Sequence, residues 1–237
     1  MVSIILPTYN ESENIITLIE GLFANIQQPL EVIVVDDNSP DMTWKIVQDC
    51  GKKNVKVIRR SERGLPTAIE RGLKESRGEI VGWMDADMSM PPPVLAEMIK
   101  NLDQYDIVIG SRYARGGKDA RGLFRVITSR TINWFAKLLL GFDIKDYDSG
   151  FIAFKKDVLQ KVPFPEKKGY GEYFIEFVFK CKNAGFKIKE VPYIFKDREK
   201  GRSKTAASFL GFLTFGFGYL ACIVNLRLCA ARERKRI

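Results

Sequence analysis

The chain has 237 residues, 46% of them hydrophobic, which is enough for one large domain or for one domain with an appendage. It contains no histidine, so a histidine general base, a Ser-His-Asp triad and histidine-ligated metal sites are excluded. The formal net charge of +9 favours a polyanionic partner, such as an anionic membrane, a phosphorylated substrate or nucleic acid, with solubility alone as the alternative.

Strands and helices are predicted to alternate along the first half of the chain. Short β-rich runs predict strands, and apolar residues at helical spacing predict helices between them. The predicted strands are 2–6, 31–35, 55–59, 80–84 and 107–110, and the predicted helices are 13–26, 42–50, 67–76 and 94–102. This order indicates right-handed crossovers and a mostly parallel sheet that is covered on both faces.

The second half is less regular. Residues 122–142 combine apolar side chains with interleaved arginine and lysine, which predicts an amphipathic helix. That helix could lie on a membrane surface, or it could pack on the core and leave its basic residues in solvent. Further helices are predicted at 155–162 and 173–184, and short strands at 188–191 and 194–196.

The C-terminal part contains 21 consecutive residues without a charge, from 206 to 226. This length is enough to cross a hydrocarbon core as a helix, and basic residues flank it on both sides. We therefore expect a domain at 1–204 and a hydrophobic, membrane-associated segment with a basic tail at 205–237. Its depth in the membrane stays open, and a buried core helix is the alternative. The N-terminus lacks the basic region of a signal peptide, so we expect the catalytic domain on the cytoplasmic face of the cell membrane.

Charged side chains follow the predicted parallel strands. Ligands bind such folds at the carboxyl ends of the strands, where this chain places five carboxylates and one arginine: Glu11, Asp36, Asp37, Asp85, Asp87 and Arg112. Asp85-Ala86-Asp87 follows an apolar run directly, and two carboxylates with substrate phosphates are a typical environment for Mg²⁺. An ordinary turn at the end of a strand is the alternative for this pair.

Six motifs in register resemble the dolichyl-phosphate mannose synthases and related polyprenyl-phosphate glycosyltransferases of family 2. They are Pro7-Thr8-Tyr9-Asn10-Glu11, Val34-Val35-Asp36-Asp37-Asn38, Met84-Asp85-Ala86-Asp87, Gly110-Ser111-Arg112-Tyr113, Asp148-Ser149-Gly150-Phe151, and Asp197-Arg198 with Gly201-Arg202-Ser203-Lys204. The resemblance runs from residue 2 to about 204. It implies an α/β GT-A fold, with a mostly parallel twisted sheet flanked by helices, and inverting transfer of a sugar from a nucleotide donor to a lipid phosphate.

The resemblance also implies a role for each matching residue. Mg²⁺ or Mn²⁺ would be held by Asp85, Asp87 and Ser89. The nucleotide sugar would be held by Pro7, Tyr9, Glu11, Val34, Asp36, Ala86, Asp87, Met88, Arg112, Arg198 and Lys204. The residues implied to act in catalysis, on the lipid phosphate and the departing diphosphate, are Asp87, Arg112, Arg125, Ser129 and Arg198.

Two segments depart from the family pattern. The Lys-x-Gly-Leu-Gly-Thr-Ala loop of the family reads Glu62-Arg63-Gly64-Leu65-Pro66-Thr67-Ala68 here, and its Thr-Ser-Gly-Phe-Arg stretch reads Asp148-Ser149-Gly150-Phe151-Ile152. These changes leave the reaction class intact and put the identity of the sugar in question.

The chemistry needs no histidine, because the oxygen of a phosphate monoester is already anionic at pH 7 and can attack without a general base. We expect transfer of mannose from GDP-mannose to dolichyl or polyprenyl phosphate at a membrane surface, with no nucleic-acid partner. The same reaction with UDP-glucose or UDP-N-acetylhexosamine is the nearer alternative. A non-catalytic, membrane-bound, anion-binding subunit is the alternative from another class.

Overall fold

The computed structural model describes residues 1–165, 171–196 and 209–234, with the side chains of residues 209–215, 233 and 234 left aside. The strands are β1 (Val2–Thr8), β2 (Leu30–Asp36), β3 (Val55–Arg59), β4 (Ile80–Trp83), β5 (Ile107–Ser111), β6 (Lys118–Asp119), β7 (Ile152–Lys155), β8 (Ile188–Pro192) and β9 (Ile194–Phe195). The helices are α1 (Ile15–Asn25), α2 (Thr43–Asp49), α3 (Leu65–Glu75), α4 (Pro92–Asn101), α5 (Leu123–Leu140), α6 (Val158–Lys161), α7 (Glu172–Asn183) and α8 (Phe209–Arg234).

Seven strands form the main sheet, in the order β3-β2-β1-β4-β7-β5-β8. Strand β7 is antiparallel to both of its neighbours, β4 and β5, whereas the other neighbouring pairs are parallel. The predicted alternation and the mostly parallel sheet are therefore confirmed over the first half of the chain. The carboxyl ends of β1, β2, β4 and β5 lie along one edge, which is where the candidate site is built.

One predicted helix is wrong in its extent. The sequence predicted a helix over 155–162, but Lys155 is the last residue of β7, and α6 covers only Val158–Lys161. Strand β7 was not predicted at all. Its apolar residues pair with β4 through Ile152↔Trp83 and with β5 through Ile152↔Ile109, so distant partners decide its conformation.

Each face of the sheet carries its own hydrophobic core. Helices α1, α2 and α4 cover one face. On the other face Trp83 is 1% exposed and lies among the rings of Phe154, Phe164, Phe174 and Phe177, at centroid distances of 5.5–6.3 Å. This large aromatic cluster joins α7 to the sheet and supports the edge that carries the site.

The predicted amphipathic helix at 122–142 is present as α5. Its inner face buries Ile132, Ala136 and Leu140 against the core. Its outer face exposes large apolar side chains: Leu123, Phe124, Ile127, Trp134 and Leu138. Packing on the core and lying on a membrane surface are therefore not exclusive for this helix, because one of its faces packs on the core and another is apolar and exposed.

Helix α8 packs against α5 and α7. Its buried residues Ile223, Leu226 and Ala230 join the core of that face, whereas Phe217 and Leu228 are exposed. Within the described parts of the chain, no helix is both long and apolar enough to cross a membrane. Membrane association of 205–237 stays a prediction.

Candidate active site

The ends of β1 and β2 are joined through the carboxylate of Asp36, which is fully buried. Asp36 accepts hydrogen bonds from the Thr8 hydroxyl at 2.8 Å and from the backbone N–H of Ser39 at 2.8 Å. The Ser39 hydroxyl donates to the same carboxylate, and the Ser39 oxygen in turn accepts the N–H of Asn10 at 2.9 Å. Asp36 therefore holds the two loops in a fixed relation, which makes it a positioning residue for this half of the edge.

The loop after β3 is held against the same edge by Asp37. Arg60 pairs with this carboxylate, and the backbone N–H of Gly64 donates to it at 2.9 Å. The loop then carries Arg63 over Tyr9, with the guanidinium 4.1 Å from the ring centroid. The altered Glu62–Ala68 segment thus places a stacked arginine beside the tyrosine implied to hold the nucleotide base.

The turn after β4 presents the two carboxylates of the Asp85-Ala86-Asp87 motif. Asp87 and Ser89 are 6% and 4% exposed, and the Ser89 hydroxyl and backbone N–H both donate to Asp87 Oδ1. Met88 has φ of +65°, a left-handed conformation that is strained for a side chain of this kind. The tight turn lets Asp85 and Asp87 follow the strand within four residues while Ala86 stays buried.

The donor set of this turn fits a hard divalent cation only in part. Within the described residues, no three side chains among Cys, Asp and Glu are grouped closely enough to hold a metal by themselves. Mg²⁺ is commonly bound by one or two carboxylates together with substrate phosphates and water. Asp85 and Asp87 supply the two carboxylates, so a complete site would form only with a phosphorylated ligand in place.

Arg112 follows β5 directly and is buried, with 4% of its side chain exposed. Asp146 Oδ2 accepts both the backbone N–H and the Nε–H of Arg112 at 2.8 Å, and Asp146 Oδ1 accepts Nη2–H at 2.6 Å. Asp148 also pairs with Nη2, and Asp119 Oδ2 lies 3.7 Å from Nη1. Burial disfavours the charge, but Asp146 and Asp148 outweigh it and raise the pKa of Arg112 well above its usual value.

Asp148 connects Arg112 to helix α5. Its carboxylate accepts hydrogen bonds from Ser129 Oγ at 3.0 Å and from Asn133 Nδ2 at 2.7 Å. Although burial acts in the opposite direction, Arg112 and these hydrogen bonds hold the pKa of Asp148 below its usual value. The carboxylate is therefore ionised at neutral pH and lies between the two residues, Arg112 and Ser129, that were implied to hold the lipid phosphate.

Backbone contacts place this cluster beside the β4 turn. Ser149 Oγ donates to the carbonyl of Gly110 at the end of β5, and the N–H of Gly110 donates to the carbonyl of Phe151 at 3.0 Å. Met90 Sδ accepts the N–H of Asp85 at 3.3 Å, and the Met90 methyl group lies close to Gly150. The segment 148–151 therefore lies between the ends of β4 and β5.

The other implied site residues have varied surroundings. Glu11 is buried at the start of α1, where Asn14 Nδ2 donates to it at 3.1 Å, and Pro7 is half-buried in β1. The side chain of Val34 is enclosed in the core. Arg125 is half-buried in the first turn of α5, one helical turn before Ser129. Arg198 and Lys204 lie outside the described residues.

Sequence reasoning missed the acidic partners of Arg112. Asp119, Asp146 and Asp148 are 7, 34 and 36 residues along the chain from this arginine, and Asn133 belongs to α5. One signal was available, because Asp146-Tyr147-Asp148 repeats the spacing of Asp85-Ala86-Asp87. The spacing alone is a weak signal, because it precedes a strand that the sequence did not predict.

Comparison with known proteins agrees with this geometry. The model of the family "Glycosyl transferase family 2" matches residues 3–163, which is more than half of the chain. The chain belongs to glycosyl transferase family 2.

Two family relatives are similar over most of this chain. A dolichol-phosphate mannosyltransferase of Pyrococcus furiosus is 41% identical over 214 residues, covering 86% of this chain and 58% of the relative. A polyprenol monophosphomannose synthase of Mycolicibacterium smegmatis is 35% identical over 217 residues, covering 86% of this chain and 81% of the relative. The chain thus spans a little over half the length of the first relative and most of the second.

Solved structures show the same fold at lower identity. Glucosyl-3-phosphoglycerate synthase from Mycobacterium tuberculosis, in complex with Mn²⁺, UDP and glucosyl-3-phosphoglycerate, has a TM-score of 0.73 and 20% identity. The match covers 95% of this chain and 79% of that one. Mannosyl-3-phosphoglycerate synthase from Rubrobacter xylanophilus has a TM-score of 0.71 and 20% identity, covering 100% of this chain and 76% of that one. The central sheet and its flanking helices are therefore those of a GT-A-like α/β fold.

Proposed function

We propose that this family 2 chain transfers mannose from GDP-mannose to the phosphate of dolichol or another polyprenol. The observation that carries the proposal is the edge of the sheet, where the carboxylates of Asp85 and Asp87 lie beside the buried Arg112 cluster. The names of the relatives that are 33–41% identical support mannose as the sugar and a polyprenyl phosphate as the acceptor. The donor nucleotide rests on the resemblance alone.

The residues of the site would act mainly by position and charge. The acceptor phosphate is already nucleophilic, so no side chain has to remove a proton from it. Asp85 and Asp87 would hold Mg²⁺ or Mn²⁺, which supplies charge neutralisation on the donor diphosphate when it is bound. Arg125 and Ser129 lie on one face of α5 and would orient the acceptor phosphate. Arg112, whose charge is balanced by its acidic partners, would hold the edge of the site in place.

The acidic partners of Arg112 refine its role. Because Asp146 and Asp148 already accept its N–H groups, Arg112 has few donors left for a ligand. Its contribution would be structural, by fixing the 146–151 segment against the end of β5. Arg125, at the rim of α5, is the arginine that we propose contacts the acceptor phosphate directly.

A membrane surface is proposed as the place of the reaction, with the catalytic domain on the cytoplasmic side. The acceptor carries a long apolar chain, so the enzyme has to meet its phosphate at a bilayer. The exposed apolar face of α5, with Trp134 59% exposed, lies on the helix that also carries Arg125 and Ser129. This arrangement would bring the phosphate-binding side chains close to the headgroup region.

The donor is tested with purified protein, Mg²⁺, a polyprenyl phosphate in detergent and radiolabelled GDP-mannose, UDP-glucose or UDP-N-acetylglucosamine. We expect label in the lipid product from GDP-mannose. Transfer from a UDP-sugar instead would replace the donor in the proposal. Label transfer from none of the three, together with no metal-dependent nucleotide-sugar binding by calorimetry, would favour a non-catalytic anion-binding subunit.

The metal-binding turn is tested by Asp87→Ala, with Asp103→Ala as the control at an exposed position after α4. We expect Asp87→Ala to lose transfer by at least about a hundredfold, because charge stabilisation of this kind contributes roughly 10²–10³ to turnover. The control should keep full activity, and both proteins should have the same far-ultraviolet circular dichroism. Full activity in Asp87→Ala would exclude this turn as the metal site.

A further inference from the structure

A second cationic feature adjoins the Arg112 cluster on the side of α5. A cavity of about 360 Å³ opens beside α5, and its lining includes Tyr113, Arg130, Trp134, Lys137 and Lys145, as well as Arg112 and Asn133 of the Arg112 cluster. Among the described residues that line it, none is acidic. None of the residues from Asp85 to Ser89 lines it either. An anion in this cavity would therefore lie apart from the metal-binding turn.

Three basic side chains of the cavity keep most of their charge for a ligand, whereas the charge of Arg112 is paired with Asp146 and Asp148. Arg130 is exposed and lies over Tyr113, with its guanidinium 5.5 Å from the ring centroid, a contact that positions the cation without neutralising it. Lys145 is exposed, and its backbone N–H donates to Glu190 at 3.0 Å, which fixes the loop that carries it. Lys137 pairs with Asp143 at 2.6 Å, but both side chains are more than half exposed, so a ligand phosphate could replace that weak pair.

The cavity adjoins the apolar face of α5. Arg130, Trp134 and Lys137 follow one another at helical spacing. On the neighbouring strip of the same helix, the exposed Leu138 lies one turn after Trp134 and the exposed Ile127 two turns before it. A ligand that contacts both the basic strip and the apolar strip of α5 must carry a phosphate next to apolar chains. A tryptophan at the border of the two strips is typical of the boundary between lipid tails and headgroups.

We propose that this cavity binds the phosphate of an anionic phospholipid headgroup, beside the acceptor site but without Arg125 and Ser129, neither of which lines it. The proposal rests on the proposed membrane surface and adds a lipid class to it. The bound headgroup would hold the outer strip of α5 against the bilayer in one orientation. Each basic residue at an anionic membrane surface contributes about 1 kcal/mol, so Arg130 and Lys145 together favour anionic over neutral membranes by roughly thirtyfold.

The test measures co-sedimentation of the full chain with vesicles of phosphatidylcholine alone and of phosphatidylcholine mixed with phosphatidylglycerol. The double variant Arg130→Ala with Lys145→Ala is compared with Lys53→Ala with Lys100→Ala, which removes the same charge from exposed positions distant from α5. We expect the first variant to lose about thirtyfold in binding to the mixed vesicles and little in binding to phosphatidylcholine. The control should bind the mixed vesicles nearly as well as the unchanged chain.

Equal losses in the two double variants would overturn the proposal, because net charge would then explain the preference. Absence of binding to either vesicle would also overturn it. Inorganic phosphate is added in a further arm, and displacement of the protein by millimolar phosphate would show a site for free phosphate instead. Mannosyl transfer to a polyprenyl phosphate in detergent is measured on all three proteins. It should be equal, and its absence in the unchanged chain would contradict the proposed function and not this site.

Discussion

Replacement of Asp146 by asparagine should destabilise the fold far more than an isosteric change normally does. The carboxylate is fully buried and accepts three hydrogen bonds from Arg112, at 2.6–2.8 Å. Asparagine removes the negative charge and turns one acceptor into an N–H₂ group that faces the guanidinium. Removing one partner of a buried ion pair costs about 3–5 kcal/mol when the remaining charge is left without compensation. Asp148 and Asp119 still compensate Arg112 in part, so we expect a loss near the low end of that range. A typical domain has only about 5–15 kcal/mol of stability in total.

The assay is urea unfolding followed by tryptophan fluorescence, which reports on Trp83 in the aromatic core. The matched control is Asp143→Asn, in the same loop and also paired with a cation, Lys137, but with 76% of its side chain exposed. We expect the midpoint of Asp146→Asn to fall sharply and that of the control to stay unchanged, with the same denaturant slope in both. A loss below about 1 kcal/mol in Asp146→Asn would refute the view that Arg112 depends on this partner.

Three further predictions concern other parts of the edge. In Gly110→Ala the new Cβ would lie 2.3 Å from Phe151 Cδ1, so the unfolding free energy should drop by about 1–3 kcal/mol. The control Gly122→Ala has open space around its new Cβ and should keep the unfolding free energy of the unchanged chain. In Arg63→Ala the donor Kd measured by calorimetry should rise about two- to fivefold with the acceptor KM unchanged, and an unchanged Kd would remove this residue from the donor site. The pKa of Asp148 is lower in the folded protein than its ordinary value of 3.8, so its ionised form stabilises the fold above pH 3.8, and this stabilisation is lost as the pH falls through the folded pKa. The unfolding free energy of Asp148→Asn should therefore depend less on pH below about 4 than that of the unchanged chain.

The first half of the fold could be predicted because its signals are local. Apolar runs end at polar residues, helical spacing fills the intervals, and right-handed crossovers follow from the alternation. The position of Asp85 and Asp87 at the end of a buried strand followed from the same pattern. Their proximity to Glu11 and Asp36 needed only the rule that parallel strands end at one edge of the sheet.

The second half could not be predicted in the same way, because its structure depends on distant partners. Residues 152–155 form a strand because β4 and β5 leave a gap between them that an antiparallel strand fills. The local sequence around 152–155 does not show that this gap exists. The amphipathic pattern of α5 was correctly recognised. Which of its strips packs on the core, and which stays open beside a basic cavity, depends on how α5 meets α8 and the sheet.

The sequence by itself determined the family and predicted the reaction class. The absence of histidine, the carboxylates at strand ends and the six motifs in register all lead to charge-based transfer onto a phosphate. Only the tertiary structure decided how the charges are used. It surrounds Arg112 with Asp119, Asp146 and Asp148, so that this arginine acts as a buried support, and it leaves Arg130 and Lys145 exposed beside Trp134. The physical reason is that an ion pair depends on distance and burial, and chain positions far apart in sequence acquire both only when the sheet and α5 are assembled.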